Sequence, residues 1–399
     1  MPIKVYGGWN NDDRIRTESS SGGVFTALAK EVIHRGGVVY GATLVKNGNN
    51  YTCVHDSCDS VTELYKFHGS KYAESVLGDT FKKLKKDLDG DRYVLFSGTP
   101  CQVGGLKAFL GKKYEKLITV DFICHGTPSY KLFNEYQSEL VSDKASGISC
   151  FKFRDKNSGW EHYSIKVAFE NGTEASFIGL ESVFMKLFLS NMYLKESCFN
   201  CGFKGTNRAS DITLGDFWGV SWFHDIKKED LEKGVSILLV NTKLGEEILN
   251  AVEKEVTLFE SSLDIFKKAN IYFWKNAQRP YDKQKYEAEL GKKSLDETLE
   301  EIEKNSRKRV FIWKVENKIK SAFGRDKKYK KKKRLPLDKE CYSCTSCENI
   351  CPRGAIVMEE NVVGFKYPKI VEEKCVHCGL CMMHCPRLSI NGNSYVKTT

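Results

Sequence analysis

The sequence predicts a mixed-sheet domain of α/β and α+β character with added antiparallel strands, followed by a small cysteine-rich domain. Three observations predict it. Units of loop, helix and strand repeat through the first third, two-residue alternation takes over near residue 150, and two cysteine runs close the chain. At 399 residues there is room for two or three domains, and 41% hydrophobic with 12% aromatic content is that of a folded protein. The expected divisions are 1–145, 146–290, a charged helix and basic linker over 291–335, and a compact domain over 336–399.

Taken in order, Ser19-Ser20-Ser21-Gly22-Gly23 leads into the amphipathic run Val24 to His34, Gly36-Gly37 ends it, and Val38 to Ala42 reads as a strand. Tyr93 to Ser97 is a buried-type strand, Gly98 to Gln102 a tight loop, and Val103 to Leu110 a helix closed by Gly111. Leu117 to Ile123 repeats the strand signal, Cys124 to Ser129 is a short loop and Tyr130 to Val141 is helical. Such units fit a sheet covered by helices, in which loops at strand C-terminal ends hold ligands. Cys150 to Arg154, His162 to Phe169 and Glu174 to Phe177 alternate, the last two joined through the hairpin signal Asn171-Gly172. Leu180 to Tyr193 then reads as a core helix, and Ile212 to Leu214 and Val235 to Val240 as strands.

Charge is local. Lys304 to Arg334 holds 15 Lys or Arg against Glu316 and Asp326, a net of +13, which leaves about −3 for the rest of a chain whose formal net charge is +10. Generic polyanion binding by the whole protein is not implied. Within the basic stretch, Ile312, Val315, Ile319 and Phe323 form a narrow apolar stripe, suited to docking on the protein itself or to a membrane-surface or other anionic contact. The N-terminal residues have no secretory pattern and no stretch reads as a transmembrane segment, so a cytoplasmic location is expected. Fifteen cysteines then argue for metal or redox use rather than disulfides.

Two copies of one cysteine run carry the strongest signal: Cys341-x2-Cys344-x2-Cys347-x3-Cys351-Pro352 and Cys375-x2-Cys378-x2-Cys381-x3-Cys385-Pro386. A cubane needs four convergent thiolates, and two-residue gaps bring three there. In two-cluster ferredoxins the last Cys of each run serves the other cluster. This assigns Cys341, Cys344, Cys347 and Cys385 to one [4Fe–4S] cluster and Cys375, Cys378, Cys381 and Cys351 to the other. Zinc sites seldom repeat a third Cys followed by x3-Cys-Pro.

Cys101, Cys124 and the pair Cys198-x2-Cys201 form a weaker group. On spacing alone, inert buried thiols and half a zinc site remain open. However, Ser19 to Phe25, Gly69-Ser70-Lys71-Tyr72, Phe96 to Gln102, Ile123-Cys124-His125-Gly126, Cys198 to Gly205 and Ser210 to Gly219 together resemble the coenzyme F420 hydrogenase/dehydrogenase beta-subunit family over about residues 3 to 250. The resemblance implies an iron–sulfur flavoprotein oxidoreductase with FAD in the mixed-sheet domain. It also implies a third [4Fe–4S] cluster on Cys101, Cys124, Cys198 and Cys201, and a small-molecule hydride donor such as a deazaflavin or a redox partner protein. One departure is that the ferredoxin domain follows the flavin domain instead of preceding it. Cys53, Cys58 and Cys150 take no role.

For the cofactor, Ser20, Ser21, Gly22 and Gly23 at a helix N-terminus suit a pyrophosphate, although an N-cap with a flexible lead-in explains them as well. The resembling runs add Gly69, Ser70, Lys71, Gly98 and Thr99; for Lys71 a solvated surface position is the ordinary alternative. His125 and Asp216 are candidate catalytic groups, against a satisfied histidine and a turn former. The alternative to an enzyme is an electron-relay subunit serving a partner.

Overall fold

The structure, a computed structural model, describes residues 1–305, 335 and 340–390. The basic run beyond residue 305 and the stripe Ile312, Val315, Ile319 and Phe323 lie outside the described residues. Strand β1 (Lys4–Asn10) is followed by the single-turn α1 (Asp13–Glu18), whose Asp12 cap accepts from the Arg14 and Ile15 amides. Helix α2 (Val24–His34) buries Val24, Ala27, Leu28 and Val32, a stripe at helical spacing. A hairpin of β2 (Val38–Asn47) and β3 (Asn50–Cys58) comes next. Then follow α3 (Thr80–Asp89), β4 (Val94–Gly98), α4 (Pro100–Leu110), β5 (Leu117–Phe122) and α5 (Tyr130–Lys144). Strands β6 (Ile148–Asp155), β7 (Ser164–Phe169) and β8 (Glu174–Ile178) make a separate antiparallel sheet. The chain then returns to the first sheet through β9 (Ile212–Asp216), β10 (Ser236–Val240) and β11 (Val256–Glu260).

The large sheet has the order β11-β1-β10-β9-β5-β4-β2-β3. Its centre, β2, β4, β5 and β9, is parallel, and the strands added on either side are antiparallel. Helices cover both faces, so central strands are apolar in both directions. Val39, Leu95 and Ile118 pack with α2, whereas Val38, Tyr40, Val94 and Phe96 pack with α3 and α4. Strands from both sides of residue 145 share this sheet, and its parallel strands direct their C-terminal ends to one edge.

The helix expected from Val103 begins at Pro100 instead. Thr99 and Gln102 form a reciprocal capping box and Pro100 needs no amide partner, so Cys101 belongs to the first turn of α4. The helix expected over Leu180 to Tyr193 is confined to Val183–Leu189, because Ser182 caps its start and Asn191 takes a left-handed φ of 65°. Residues 295–305 are helical, within the stretch expected to be a long charged helix. Among the described residues no helix is long and apolar enough to cross a membrane.

The cysteine-rich domain contains a short helix, Ser346–Ile350, and a hairpin of β12 (Ile356–Glu360) and β13 (Lys366–Ile370). It lies against α4. Asn349 Nδ2 donates to the Gly78 carbonyl at 3.0 Å, His384 Nδ1 meets the Ala108 carbonyl, and the Ser129 hydroxyl donates to that of Val363. Gly105 makes the approach possible, since a Cβ there would lie 2.6 Å from Cys344 Cβ and 2.8 Å from its Sγ.

Candidate functional site

A cavity of about 760 Å³ opens where β2, β4, β5 and β9 end, and its wall includes Ala42, Gly98, Asp121 and Leu214. Of the residues expected at a cofactor, Ser20, Ser21, Gly23, Gly69, Ser70, Lys71, Gly98 and Thr99 all line it. Gly22 lies behind them: its amide donates to Ser236 Oγ at 2.9 Å, and a Cβ would come 2.5 Å from the Gly8 carbonyl oxygen. Gly23, at φ 79°, turns the chain into α2. Ser70 Oγ donates to Ser20 Oγ at 2.8 Å, which joins the two loops.

Lys71 is not a solvated surface lysine. Its ammonium donates to the carbonyls of Lys66, His68 and Gly69, and burial lowers its pKa to about 8. It organises the loop that forms the cavity wall. Two basic groups without a sequence signal brace the chain beside Ser21. Lys156 donates to the carbonyls of Arg16, Ser21 and Lys233, while Arg16 bonds the Gly234 carbonyl and Asp230.

Asp216 lines the cavity, but both its oxygens are taken, Oδ1 by Trp160 Nε1 at 3.0 Å and Oδ2 by Arg154 Nη1 at 2.7 Å. The carboxylate therefore anchors a buried cation that lies over the Tyr163 and Trp218 rings, and Trp160 stacks on Trp218 at 4.6 Å. His125 Nε2 pairs with Asn191 Oδ1 at 2.7 Å, and its buried Nδ1 has no partner among the described residues. Desolvation lowers its pKa to about 4, so the ring is neutral and holds an unused acceptor at the cavity wall.

Cys101 from the first turn of α4, Cys124 just beyond β5, and Cys198 and Cys201 are brought together. Burial and the neighbouring Cys201, Cys124 and Cys198 sulfurs push up the Cys101 thiol. Burial, then Cys198, pushes Cys124 up to about 12. Thiols that convergent and buried resist ionising together unless a cation neutralises them, which is the donor set of a metal cluster. The Thr127 amide points at Cys198 Sγ and the Phe203 amide at Cys201 Sγ, both at 3.4 Å. Lys195 and Lys204 stand beside Cys198.

Cys341, Cys344, Cys347 and Cys385 are all buried and line one small cavity, and the Ser343 amide donates to Cys341 Sγ at 3.3 Å. Cys381 has Cys378 and Cys351 as electrostatic neighbours, and the Ala355 amide donates to Cys351 Sγ at 3.3 Å. Cys375 lies close to His377 and Glu372 in this outer region, where Cys378 is exposed. Cys341, Cys344, Cys347 and Cys385 thus lie together, and Cys351 lies with Cys378 and Cys381. The inner group is adjacent to the large cavity, since Tyr342 and Ser343 line both it and the region around Cys341. Cys53 and Cys58 are buried in β3, and Cys150 is exposed on β6.

Thiol sets at ferredoxin spacing, docked beside the cavity of a mixed α/β domain, define an iron–sulfur electron-transfer protein. Family models agree on the whole arrangement. Residues 5–80 match the coenzyme F420 hydrogenase/dehydrogenase beta subunit N-terminal model, 91–264 its C-terminal model, and 340–388 a 4Fe-4S dicluster domain. The chain belongs to the coenzyme F420 hydrogenase/dehydrogenase beta-subunit family and carries a 4Fe-4S ferredoxin domain. A polyferredoxin-like protein of Methanocaldococcus jannaschii is 39% identical over 62 residues, 14% of this chain and 37% of the relative's length. A chain in the F420-reducing [NiFe] hydrogenase complex from Methanosarcina barkeri is 19% identical with a TM-score of 0.45, over 72% of this chain and 92% of that one.

Proposed function

We propose that the chain is an FAD-dependent oxidoreductase with three [4Fe–4S] clusters. It exchanges electrons between a hydride donor or acceptor at the large cavity and a one-electron partner at the outer cysteine group. The observation that carries this reading is continuity: Cys101 and Cys124 stand in the cavity wall together with Tyr342 and Ser343 of the cysteine-rich domain. The ferredoxin domain thus adjoins the cavity although it follows the main domain in sequence.

FAD, when bound, supplies the conversion between hydride and single electrons that cubane clusters require. The loops Ser20 to Gly23 and Gly69 to Lys71 would hold its pyrophosphate, with first-turn amides of α2 and the Lys71 charge behind them. His125 offers Nδ1 as an acceptor, and Asp216 keeps Arg154 in place. A deazaflavin is the donor that the family suggests.

Anaerobic purification with iron, sulfide and flavin analysis tests the reading. About twelve irons and one flavin per chain are expected; eight irons with no flavin would sink it. Reduction of an artificial acceptor by the isolated chain, given a reduced deazaflavin, separates an enzyme from a relay subunit.

A further inference from the structure

Between the two inner cysteine groups lies a contact that neither group needs for its thiols. Tyr342, next to Cys341, accepts two hydrogen bonds at its hydroxyl: from the Gly202 amide at 3.1 Å and from Arg387 Nη1 at 2.7 Å. The same guanidinium nitrogen donates to the Asn200 carbonyl at 2.8 Å. Asn200 and Gly202 flank Cys201, and Arg387 stands two residues beyond Cys385. Both side chains are 7% exposed, and the Tyr342 ring meets Phe203 at 5.2 Å. One phenol and one guanidinium therefore tie the backbone on both sides of Cys201 to the backbone beside Cys341 and Cys385.

We propose that Arg387, oriented by Tyr342, is the fixed positive charge that raises the reduction potentials of the two inner clusters above that of the outer one. The proposal rests on the reading that both inner groups carry clusters. A cubane held by four thiolates is anionic and becomes more so on reduction, so a nearby cation favours the reduced form, most strongly where water is excluded. Arginine suits this because it stays protonated at every working pH. Lys195 pairs with Glu74 and Lys204 donates to the Cys124 and Tyr272 carbonyls, so both are held within the main domain. Arg387 enters from the cysteine-rich domain and spans the boundary. Around the outer group, with Cys378 exposed, solvent screens the same charge. Tyr342 is a positioning residue: its hydroxyl accepts from both sides and fixes the guanidinium between them.

The test is a redox titration of the full-length, anaerobically purified chain followed by electron paramagnetic resonance, with iron counted on the same samples. Signals of the main-domain cluster are identified by their loss in Cys198→Ser. Arg387→Gln is expected to lower the potentials of the two inner clusters and leave the outer one unmoved. Arg387→Lys should keep most of the wild-type value, and Tyr342→Phe should shift the same two signals by less than Arg387→Gln. A purely structural role would move all three potentials together, and that result overturns the proposal. If Arg387→Gln loses iron, Tyr342→Phe decides, because it keeps the ring and the charge; wild-type potentials there overturn the assignment. About eight irons in the wild type would defeat the three-cluster reading and this proposal with it, whereas about twelve irons with unmoved potentials defeats this proposal alone.

Discussion

Gly105→Ala adds one methyl group where α4 meets the cysteine-rich domain. The new Cβ would lie 2.6 Å from Cys344 Cβ and 2.8 Å from its Sγ, where an ordinary carbon contact needs about 3.5–4.0 Å. Neither partner can swing aside, because Cys344 is buried and Gly105 is on a helix. Overpacking of this kind costs about 1–3 kcal/mol, and the gain in helix propensity from replacing glycine returns about 0.5–1 kcal/mol. The remainder, centred on about 1 kcal/mol, would raise the open population of the docked domain roughly 5-fold. Iron release to a chelator under anaerobic conditions reads this directly, and the fast phase should grow by that factor. Gly90→Ala is the control, since its nearest contacts are 3.4 Å and its φ is ordinary. Wild-type release from Gly105→Ala would refute the close docking of Cys344 on α4.

Cys198→Ser should remove about four irons while sparing the other eight, checked by iron and sulfide analysis. Lys71→Met leaves three carbonyls without their donor, each costing roughly 1–3 kcal/mol if it stays buried, so flavin content should fall severalfold at unchanged iron. His55 is buried between Ser97 and Ser75, and desolvation lowers its pKa to about 4 from 6.5. The folded state therefore resists a proton that the unfolded chain accepts. The stabilisation is whole above pH 6.5 and drains away as the pH falls toward 4, by about 3 kcal/mol in all. Denaturation midpoints for His55→Gln should change less across that window than those of the wild type; equal slopes would count against the assignment.

What could be read from the sequence was local in it. The cysteine runs and the Ser19 to Gly23 loop are legible because a few neighbouring residues specify them. The convergence of Cys101, Cys124, Cys198 and Cys201 depends on β5 pairing with β9 some ninety residues later, so spacing left it open and only the family resemblance grouped them. For the same reason β1, lying between β10 and β11, gave no local sign of its place. For Lys71 a surface position stayed open beside a cofactor contact, because the carbonyls it bonds are recognisable as a set only after the loop has closed. The partners of Asp216 gave no local sign because Arg154 and Trp160 come from another part of the chain. The apolar periodicity over Leu180 to Tyr193 was real, but Ser182 and the left-handed Asn191 cut the helix that it suggests.

On α4, Gly104 and Gly105 stand side by side: a Cβ on the first would run into the Phe203 ring at 2.4 Å, and on the second into Cys344. The helix is thus shaved bare where the Cys201 loop and the ferredoxin domain come in from its flank. A domain seated by a bare helix flank can be tethered at either end of a polypeptide and still arrive at the same berth. Gene fusion and permutation could therefore reorder the two domains without rebuilding the electrical contact, which accounts physically for a ferredoxin domain that trails the domain it serves.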